Sequence, residues 1–287
     1  MSYHIQAENL VYHYDDIKAV KGISFKVEEG EVLGFLGPNG AGKSTTIKMM
    51  TGQLIPKSGR VSVFGKDVTK NPLEVKKSIG VCFEQPNHYE QLTAKENLIF
   101  FARLFGMKGF EPERLLERVG LGDRMDDKVS KYSKGMKQRL MLARTLLNNP
   151  RVLFLDEPAS GLDPVSAEAI RNIILEEKKK GVTILLTTHD MTEADKLSDR
   201  VAFINKGEIE VLDTPYNLKL KYGKKIVFVD VKNDQGGKET IEIPMGNENT
   251  GDNLKEVFEN KEVLTVHSRE ATLEDIFIRI TGRGLAG

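Results

Sequence analysis

The residues from Gly37 to Thr45 have the composition and spacing of a loop that binds phosphate groups. Polyphosphate binding needs several backbone N–H groups that converge on anionic oxygens, and glycines let the backbone fold that closely. Lys43 would reach the terminal phosphates, and the Ser44 hydroxyl would ligate Mg²⁺. The sequence therefore predicts a nucleotide site formed by Gly37, Pro38, Asn39, Gly40, Ala41, Gly42, Lys43, Ser44 and Thr45.

Two neighbouring carboxylates, Asp156 and Glu157, end an apolar run that starts at Val152. A parallel strand would deliver them to the carboxyl edge of a sheet, where ligands bind in α/β folds. There Asp156 can hold Mg²⁺, and Glu157 can polarise a water for attack on a terminal phosphate. The pair is therefore the predicted second half of the site.

The elements that must position these residues form an alternating pattern of strands and helices. Short apolar runs at 32–36, 79–83, 152–155 and 183–187 are typical of parallel strands that are buried on both faces. Between them lie helix signals: a capping box opens at Thr93, and Pro164 begins a helix that ends near Gly181. The pattern predicts an α/β core.

Three segments depart from this alternation. Residues from about 86 to 150 predict a helical insertion, and the chain before residue 32, together with 60–64, predicts antiparallel strands on one flank. Beyond residue 222 the sequence predicts strands at 224–231 and 238–243 around the turn 233–237, and then a helix at 273–280. We therefore expect two domains, 1–222 with its helical subdomain and a small α+β appendage at 223–287.

The composition narrows the class of protein. The 287 residues include 42 Lys+Arg and 42 Asp+Glu, and this zero net charge argues against a general nucleic-acid binder. The single cysteine, Cys82, excludes an internal disulfide framework and suits a reducing compartment. The sequence contains neither a signal-peptide pattern nor an apolar run of membrane-spanning length. We expect a cytoplasmic protein whose membrane contacts come through a partner.

The motif set resembles that of the ATPase subunits of ABC transporters. The discriminating segment is Tyr132-Ser133-Lys134-Gly135-Met136-Lys137-Gln138-Arg139, which is similar to the family signature Leu-Ser-Gly-Gly-Gln. The resemblance implies that Ser133, Gly135 and Met136, at the start of a helix running to Leu147, bind the γ-phosphate of ATP held by a second, opposed copy. Lys134 stands where the common form has glycine, and it adds a positive charge near that phosphate.

Further matches to the family follow from single residues and one short loop. Gln85 is similar to the glutamine that reaches Mg²⁺ and the attacking water, and His189 to the histidine that contacts the γ-phosphate. The loop Ser160-Gly161-Leu162-Asp163 resembles the segment that contacts the opposite subunit and its nucleotide.

An aromatic residue stacks on adenine in this family. Tyr14 matches it best, and Tyr12 and Tyr3 are nearby alternatives.

The resemblance, which covers about residues 3–222, implies a P-loop NTPase (RecA-like) α/β core that binds ATP and Mg²⁺. It also implies a dimer with two shared sites, which powers a separate integral membrane permease from the inner face of the cell membrane. The Ser-Lys-Gly-Met form and the tail at 271–277 are similar to a branch that exports drugs, antibiotics or lipids.

Two alternatives stay open at this stage. One is a soluble ABC-type ATPase that acts on DNA or ribosomes, although such proteins carry long coiled-coil insertions or tandem ATPase units, and this chain has one phosphate loop. The other is a P-loop kinase or GTPase, which would not explain residues 132–139 or His189.

Overall fold

The computed structural model describes residues 2–223, 226–233, 236–246, 248–269 and 271–282. It divides into two compact units, of which the first ends at Thr214 and the second begins at Pro215. The second unit thus starts with the helix Pro215–Tyr222, whereas the sequence places the boundary after that helix. The predicted domain limits of 1–222 and 223–287 stay a prediction.

An antiparallel sheet flanks the first unit. Its strands lie in the order β2-β1-β4-β5 and are β1 (Tyr3–Tyr14), β2 (Ile17–Glu28), β4 (Ser58–Val63) and β5 (Lys66–Asp67). Apolar residues alternate along β1 and β2, so one face of this sheet is buried in the core.

The central sheet has the order β10-β9-β3-β8-β7-β6. Neighbouring strands are parallel except for the pair β9–β10, which is antiparallel. The strands are β3 (Val32–Leu36), β6 (Ile79–Cys82), β7 (Val152–Asp156), β8 (Thr183–Thr188), β9 (Arg200–Asn205) and β10 (Glu208–Asp213).

Side chains along each strand point alternately to the two faces of this sheet, and each face packs against a hydrophobic core. Leu153 and Leu155 pack into a core shared with the helical insertion, whereas Val152 and Phe154 pack into a second core with the flanking sheet. The continuous apolar run of β7 is thereby explained, and its last residue, Asp156, is held at the carboxyl edge.

Helices cover the two faces. In the α/β core they are α1 (Lys43–Met50), α2 (Pro72–Lys76), α6 (Pro164–Lys179) and α7 (Met191–Leu197). In the insertion they are α3 (Ala94–Leu104), α4 (Glu113–Arg118) and α5 (Lys134–Thr145), with 3-10 turns at Gly122–Arg124 and Val129–Lys131. Residues 86–150 contain no strand, which confirms the predicted helical insertion.

The second unit is an α+β arrangement. Its antiparallel sheet has the order β12-β11-β13, and its elements are α8 (Pro215–Tyr222), β11 (Ile226–Lys232), β12 (Lys238–Pro244), α9 (Thr250–Asn260), β13 (Val263–Arg269) and α10 (Leu273–Thr281). The buried carboxylate of Asp230 ties the three strands together, because it accepts hydrogen bonds from Thr240 (2.7 Å) and Thr265 (2.6 Å).

Most predicted elements agree with the structure to within two residues. The strand at 79–83 ends at Cys82, and the helix of the signature segment ends at Thr145 rather than Leu147. The helix that begins at Pro164 ends at Lys179, just before Gly181 with its φ of 81°. Lys224, Lys225, Asp234 and Gln235 of the predicted strand and turn lie outside the described residues. The sequence did not reveal β5, β9, β10, β13, α2, α7, α8 or α9.

Candidate active site

The loop between β3 and α1 depends on glycine at two close backbone approaches. A Cβ on Gly37 would lie 2.1 Å from the Ile204 carbonyl oxygen. Gly42 has a φ of 106°, and a Cβ there would lie 2.5 Å from the carbonyl oxygen of Ala19. Only glycine leaves room for these close contacts between the loop and the backbones of residues 204 and 19. The N-terminus of α1 begins at the end of the loop, which is the arrangement of an anion-binding site.

Lys43, the first residue of α1, is buried inside this loop. Its ammonium group donates to the carbonyl oxygens of Gly37 (2.6 Å) and Pro38 (3.3 Å). It also lies 3.2 Å from Glu157 Oε1. The structure therefore brings together the lysine and the glutamate, which are 114 residues apart in the sequence.

Asp156 lies beside the same loop. Its Oδ1 accepts hydrogen bonds from the hydroxyls of Ser44 (3.0 Å) and Thr187 (2.6 Å). Burial raises the pKa of Asp156, while the hydrogen bonds from Thr187 and Ser44 lower it. A buried carboxylate next to a serine hydroxyl provides the hard oxygen ligands that Mg²⁺ prefers, so these residues fit that ion.

Glu157 is held by its backbone as well as by its side chain. Its φ of 50° lies in the left-handed region, which is strained for a residue with a side chain. Its N–H donates to the carbonyl and hydroxyl oxygens of Thr187, both at 3.1 Å. Its Oε2 lies 2.8 Å from His189 Nδ1. The carboxylate is therefore fixed between Lys43 and a half-exposed imidazole.

A cavity of about 280 Å³ opens over the phosphate loop. Residues 38–45 form its floor, and Glu84 and Glu157 line it as well. Tyr14 and Ile17, the residues that flank the turn between β1 and β2, line it too. Tyr14 is 42% exposed, and its ring packs edge-to-face on that of Tyr12 with 4.9 Å between the ring centroids. Of the three tyrosines, the structure places Tyr14 at the cavity.

Gln85 occupies the loop that follows β6, and its side chain is exposed. The cavity lining includes the preceding residue, Glu84. Gln85 is therefore adjacent in sequence to a residue that lines the cavity, but it is not itself among the lining residues.

The signature segment begins α5. Ser133 caps this helix, because its hydroxyl accepts a hydrogen bond from Met136 N at 3.2 Å. Gly135 packs tightly on α6, and a Cβ there would lie 2.3 Å from Ser166 Oγ. Among the described residues, those that line the cavity over the phosphate loop do not include Ser133, Gly135 or Met136.

Asp163 caps the neighbouring helix α6. Its Oδ1 accepts a hydrogen bond from Ser166 N at 2.9 Å, and the hydrogen bonds from Ser166 lower the pKa of Asp163. The N-termini of α5 and α6 therefore lie side by side, with Gly135 against Ser166.

The sequence did not reveal Thr187 or Ile17 as site residues. The Thr187 hydroxyl donates to the Asp156 carboxylate and accepts from the backbone N–H of Glu157, and Ile17 lies beside Tyr14 in the cavity lining. For Thr187 the signal was its position at the end of the predicted strand that precedes His189. A threonine is common in strands, so its type alone gave no indication of a contact.

Fold and site together define a nucleoside triphosphatase with a phosphate loop. Comparison with known proteins narrows this class. The sequence profile of the ABC transporter family matches residues 20–160. A fluoroquinolones export ATP-binding protein of Mycobacterium tuberculosis is 47% identical over 283 residues, which are 98% of this chain and 94% of that protein. The bacitracin transport ATP-binding protein of Bacillus licheniformis is 35% identical over an alignment of 310 residues, which spans 100% of this chain and 100% of that protein.

A solved structure of an ATP-binding subunit of an ABC transporter is also similar, with a TM-score of 0.70 and 32% identity over 76% of this chain and 92% of that chain. The chain belongs to the family of ABC transporter ATP-binding proteins. It is therefore the ATP-binding and ATP-hydrolysing subunit of such a transporter, as the resemblance implied, and the comparisons do not support the alternative of an ATPase for DNA or ribosomes. Within the described ranges, no helix has the length and apolar character needed to cross a bilayer.

Proposed function

We propose that the chain hydrolyses ATP·Mg²⁺ with Glu157 as the residue that orients and deprotonates the attacking water. The observation that carries this proposal is the cluster at the phosphate loop, where Lys43 and His189 contact the two oxygens of Glu157. A carboxylate fixed in this way beside a phosphate site is placed to accept a proton from water. Mg²⁺, held by Ser44 and Asp156, would supply charge neutralisation on the phosphates.

The other residues of the loop bind and orient the nucleotide. The backbone N–H groups of residues 39–45 and the N-terminus of α1 receive the phosphates, and Lys43 exchanges its carbonyl contacts for phosphate oxygens. Tyr14 stacks on the base, because its exposed ring lines the same cavity. His189 donates to the γ-phosphate once it releases Glu157, and Gln85 swings in from its exposed position to orient water and metal.

We propose further that two copies share each nucleotide. Ser133, Gly135 and Met136 form an anion-binding helix start that does not line the cavity of their own chain. A second copy in the opposite orientation would bring this segment, with Asp163 nearby, over that cavity. ATP then stabilises the closed dimer and ADP does not, because only ATP has the γ-phosphate that the second copy would bind.

The dimer would drive a separate integral membrane permease at the cytoplasmic face of the membrane. Export of a drug or antibiotic is supported by two relatives, one named for fluoroquinolones export and one for bacitracin transport. To test this, the tagged chain is purified from detergent-solubilised membranes, and its companions are identified by mass spectrometry. We expect a multi-span membrane protein, and co-purification of ribosomes or DNA in its place would contradict the proposal.

Dimer formation is tested with the Glu157→Gln chain, in which hydrolysis is blocked. Light scattering is measured with ATP·Mg²⁺ and with ADP·Mg²⁺, in the presence and absence of the permease. We expect a dimer with ATP and a monomer with ADP. A chain that remains monomeric under all of these conditions would overturn the shared site.

A further inference from the structure

Lys134 is the first residue of α5, and its position is unusual for a cation. The N-terminus of a helix carries partial positive charge and favours anions, and the first turn of α5 contains no acidic residue. A lysine here adds a full positive charge to the positive end of the dipole. Such a position needs a compensating partner.

The structure shows this partner on a different loop. The Lys134 ammonium group donates to the carbonyl oxygens of Ser160 (2.9 Å) and Gly161 (3.3 Å). Gly161 has a φ of 63°, and a Cβ there would lie 2.6 Å from the Lys134 nitrogen. The absence of a side chain at residue 161 thus lets the ammonium group approach.

This loop starts at the glutamate of the active site. The N–H of Ser160 donates to the carbonyl oxygen of Glu157 at 3.2 Å, and the loop ends at Asp163, the cap of α6. The contact with Lys134 therefore connects the signature helix to the backbone turn that carries Glu157.

The backbone of α5 on either side of Lys134 is held by contacts that do not involve the lysine side chain. Ser133 caps α5, and Gly135 is in tight contact with Ser166. The Lys134 side chain is exposed and held by neutral carbonyl oxygens. An ammonium group interacts more strongly with a charged phosphate oxygen than with a neutral carbonyl, so an arriving phosphate would displace these contacts.

We propose that Lys134 is a positioning residue that exchanges the Ser160 and Gly161 carbonyls of its own chain for the terminal phosphate of a nucleotide held by the opposing copy. The inference rests on the proposed shared site. The exchange strengthens ATP-driven closure, and it releases the loop that begins at Glu157. The arrival of a γ-phosphate at one site is thereby transmitted to the glutamate that serves the other site.

The test uses the full chain in the Glu157→Gln background, where hydrolysis does not consume ATP. The ATP concentration that gives half-maximal dimer is measured for Lys134→Met, which keeps the side-chain length without the charge. Loss of a charge-assisted contact predicts an increase of about tenfold. Lys134→Arg retains the charge and should stay within about threefold of the parent.

The control is Lys131→Met, which removes the same charge from an exposed lysine in the turn before α5. It should leave the ATP requirement unchanged. Amide hydrogen exchange of residues 159–162 without nucleotide provides a second readout. Lys134→Met should accelerate this exchange, and Lys131→Met should not.

The outcomes separate the inference from the proposed function. If the parent dimerises and Lys134→Met needs no more ATP, the lysine is a structural tie and the exchange is wrong. The same conclusion follows if Lys134→Met and Lys131→Met raise the ATP requirement equally. If the parent never dimerises, the shared site fails, and the exchange fails with it.

Discussion

At the scale of the residue, Glu157 combines a strained backbone with two side-chain contacts of different character. The ammonium group of Lys43 is buried inside the phosphate loop, whereas the imidazole of His189 is half exposed. The carboxylate is thus positioned from both sides. Such preorganisation favours the transition state because little reorganisation is needed when charge develops.

Glu157→Gln should lower ATP turnover by about 10²–10⁴-fold, or about 3–5 kcal/mol of barrier. The amide retains the size of the side chain but cannot accept a proton from water. ATP affinity should persist, because the phosphate loop and Lys43 are unchanged. Phosphate release and equilibrium ATP binding measure the two effects separately.

The matched control for this substitution is Glu117→Gln, an exposed glutamate on α4 that lines no cavity containing Glu157 or His189. It should hydrolyse ATP at the wild-type rate. Wild-type turnover in the Glu157→Gln chain would show that another residue activates the water.

Asp156→Asn should stabilise the nucleotide-free chain at neutral pH and abolish Mg²⁺-dependent hydrolysis. Burial raises the pKa of Asp156 in the folded chain, so its ionised form is unfavourable there. The contribution of Asp156 to stability is fully present below the unfolded pKa and is lost as the pH rises through the folded pKa. The free energy of unfolding, from urea titrations at pH 7 and near pH 4, should show a larger gain at pH 7. An equal gain at both pH values would contradict this origin.

Single-residue roles were predictable where the backbone imposes a pattern and were not predictable where a contact is made across the fold. The glycines, Lys43 and Ser44 follow from the geometry that phosphate requires. Thr187 binds Asp156 across 31 positions of sequence, and Lys134 binds residue 160 across 26. No local pattern records such pairings, since they depend on how strands and helices are packed.

At the scale of the element, the N-termini of α5 and α6 are packed so closely that residue 135 has no room for a side chain. Gly135→Ala should therefore lower the free energy of unfolding by about 1–3 kcal/mol, as overpacking does. Ser166→Gly removes both atoms that the new methyl group would meet at under 3 Å. The double variant should recover much of the loss, and urea unfolding of the four proteins measures the coupling.

Additive effects of the two substitutions would contradict direct contact between these helix ends. ATP hydrolysis by the double variant gives a further check on the signature segment. It should exceed that of Gly135→Ala, because the relation between the two helices is restored while the amide of residue 135 is retained.

Low burial explains why β10 and β13 were missed, but it does not explain β9, because residues 201–204 of β9 are all buried. Strands β3, β7 and β8 are covered on both faces, and they appear in the sequence as continuous apolar runs. β10 has no fully buried residue, and the described residues of β13 are mostly exposed, so neither strand has the continuous buried apolar run of a central strand. These segments become strands by pairing with other strands of the sheet, and the local sequence pattern does not reveal that pairing.

At the scale of the whole molecule, the two parts of the proposed shared site do not meet in one cavity of a single chain. Residues 38–45 and Glu157 line the cavity over the phosphate loop, whereas the described residues of its lining do not include the start of the signature helix. A symmetric dimer would complete two sites at once, because whatever one copy supplies to its partner the partner also supplies in return.

Ser133→Arg should abolish hydrolysis although the phosphate loop is intact, because the long side chain would occupy the space that the γ-phosphate of the opposing copy's ATP needs. Lys43→Ala should be inactive for the complementary reason. Mixing the two inactive chains in equal amounts gives mixed dimers, in which the intact loop of one chain meets the intact signature of the other. Half of the dimers are then mixed, and in each mixed dimer one of the two sites is intact. Activity should therefore return to about a quarter of the wild-type value. Full activity of Ser133→Arg alone, or no recovery on mixing despite dimers seen by light scattering, would contradict the shared site.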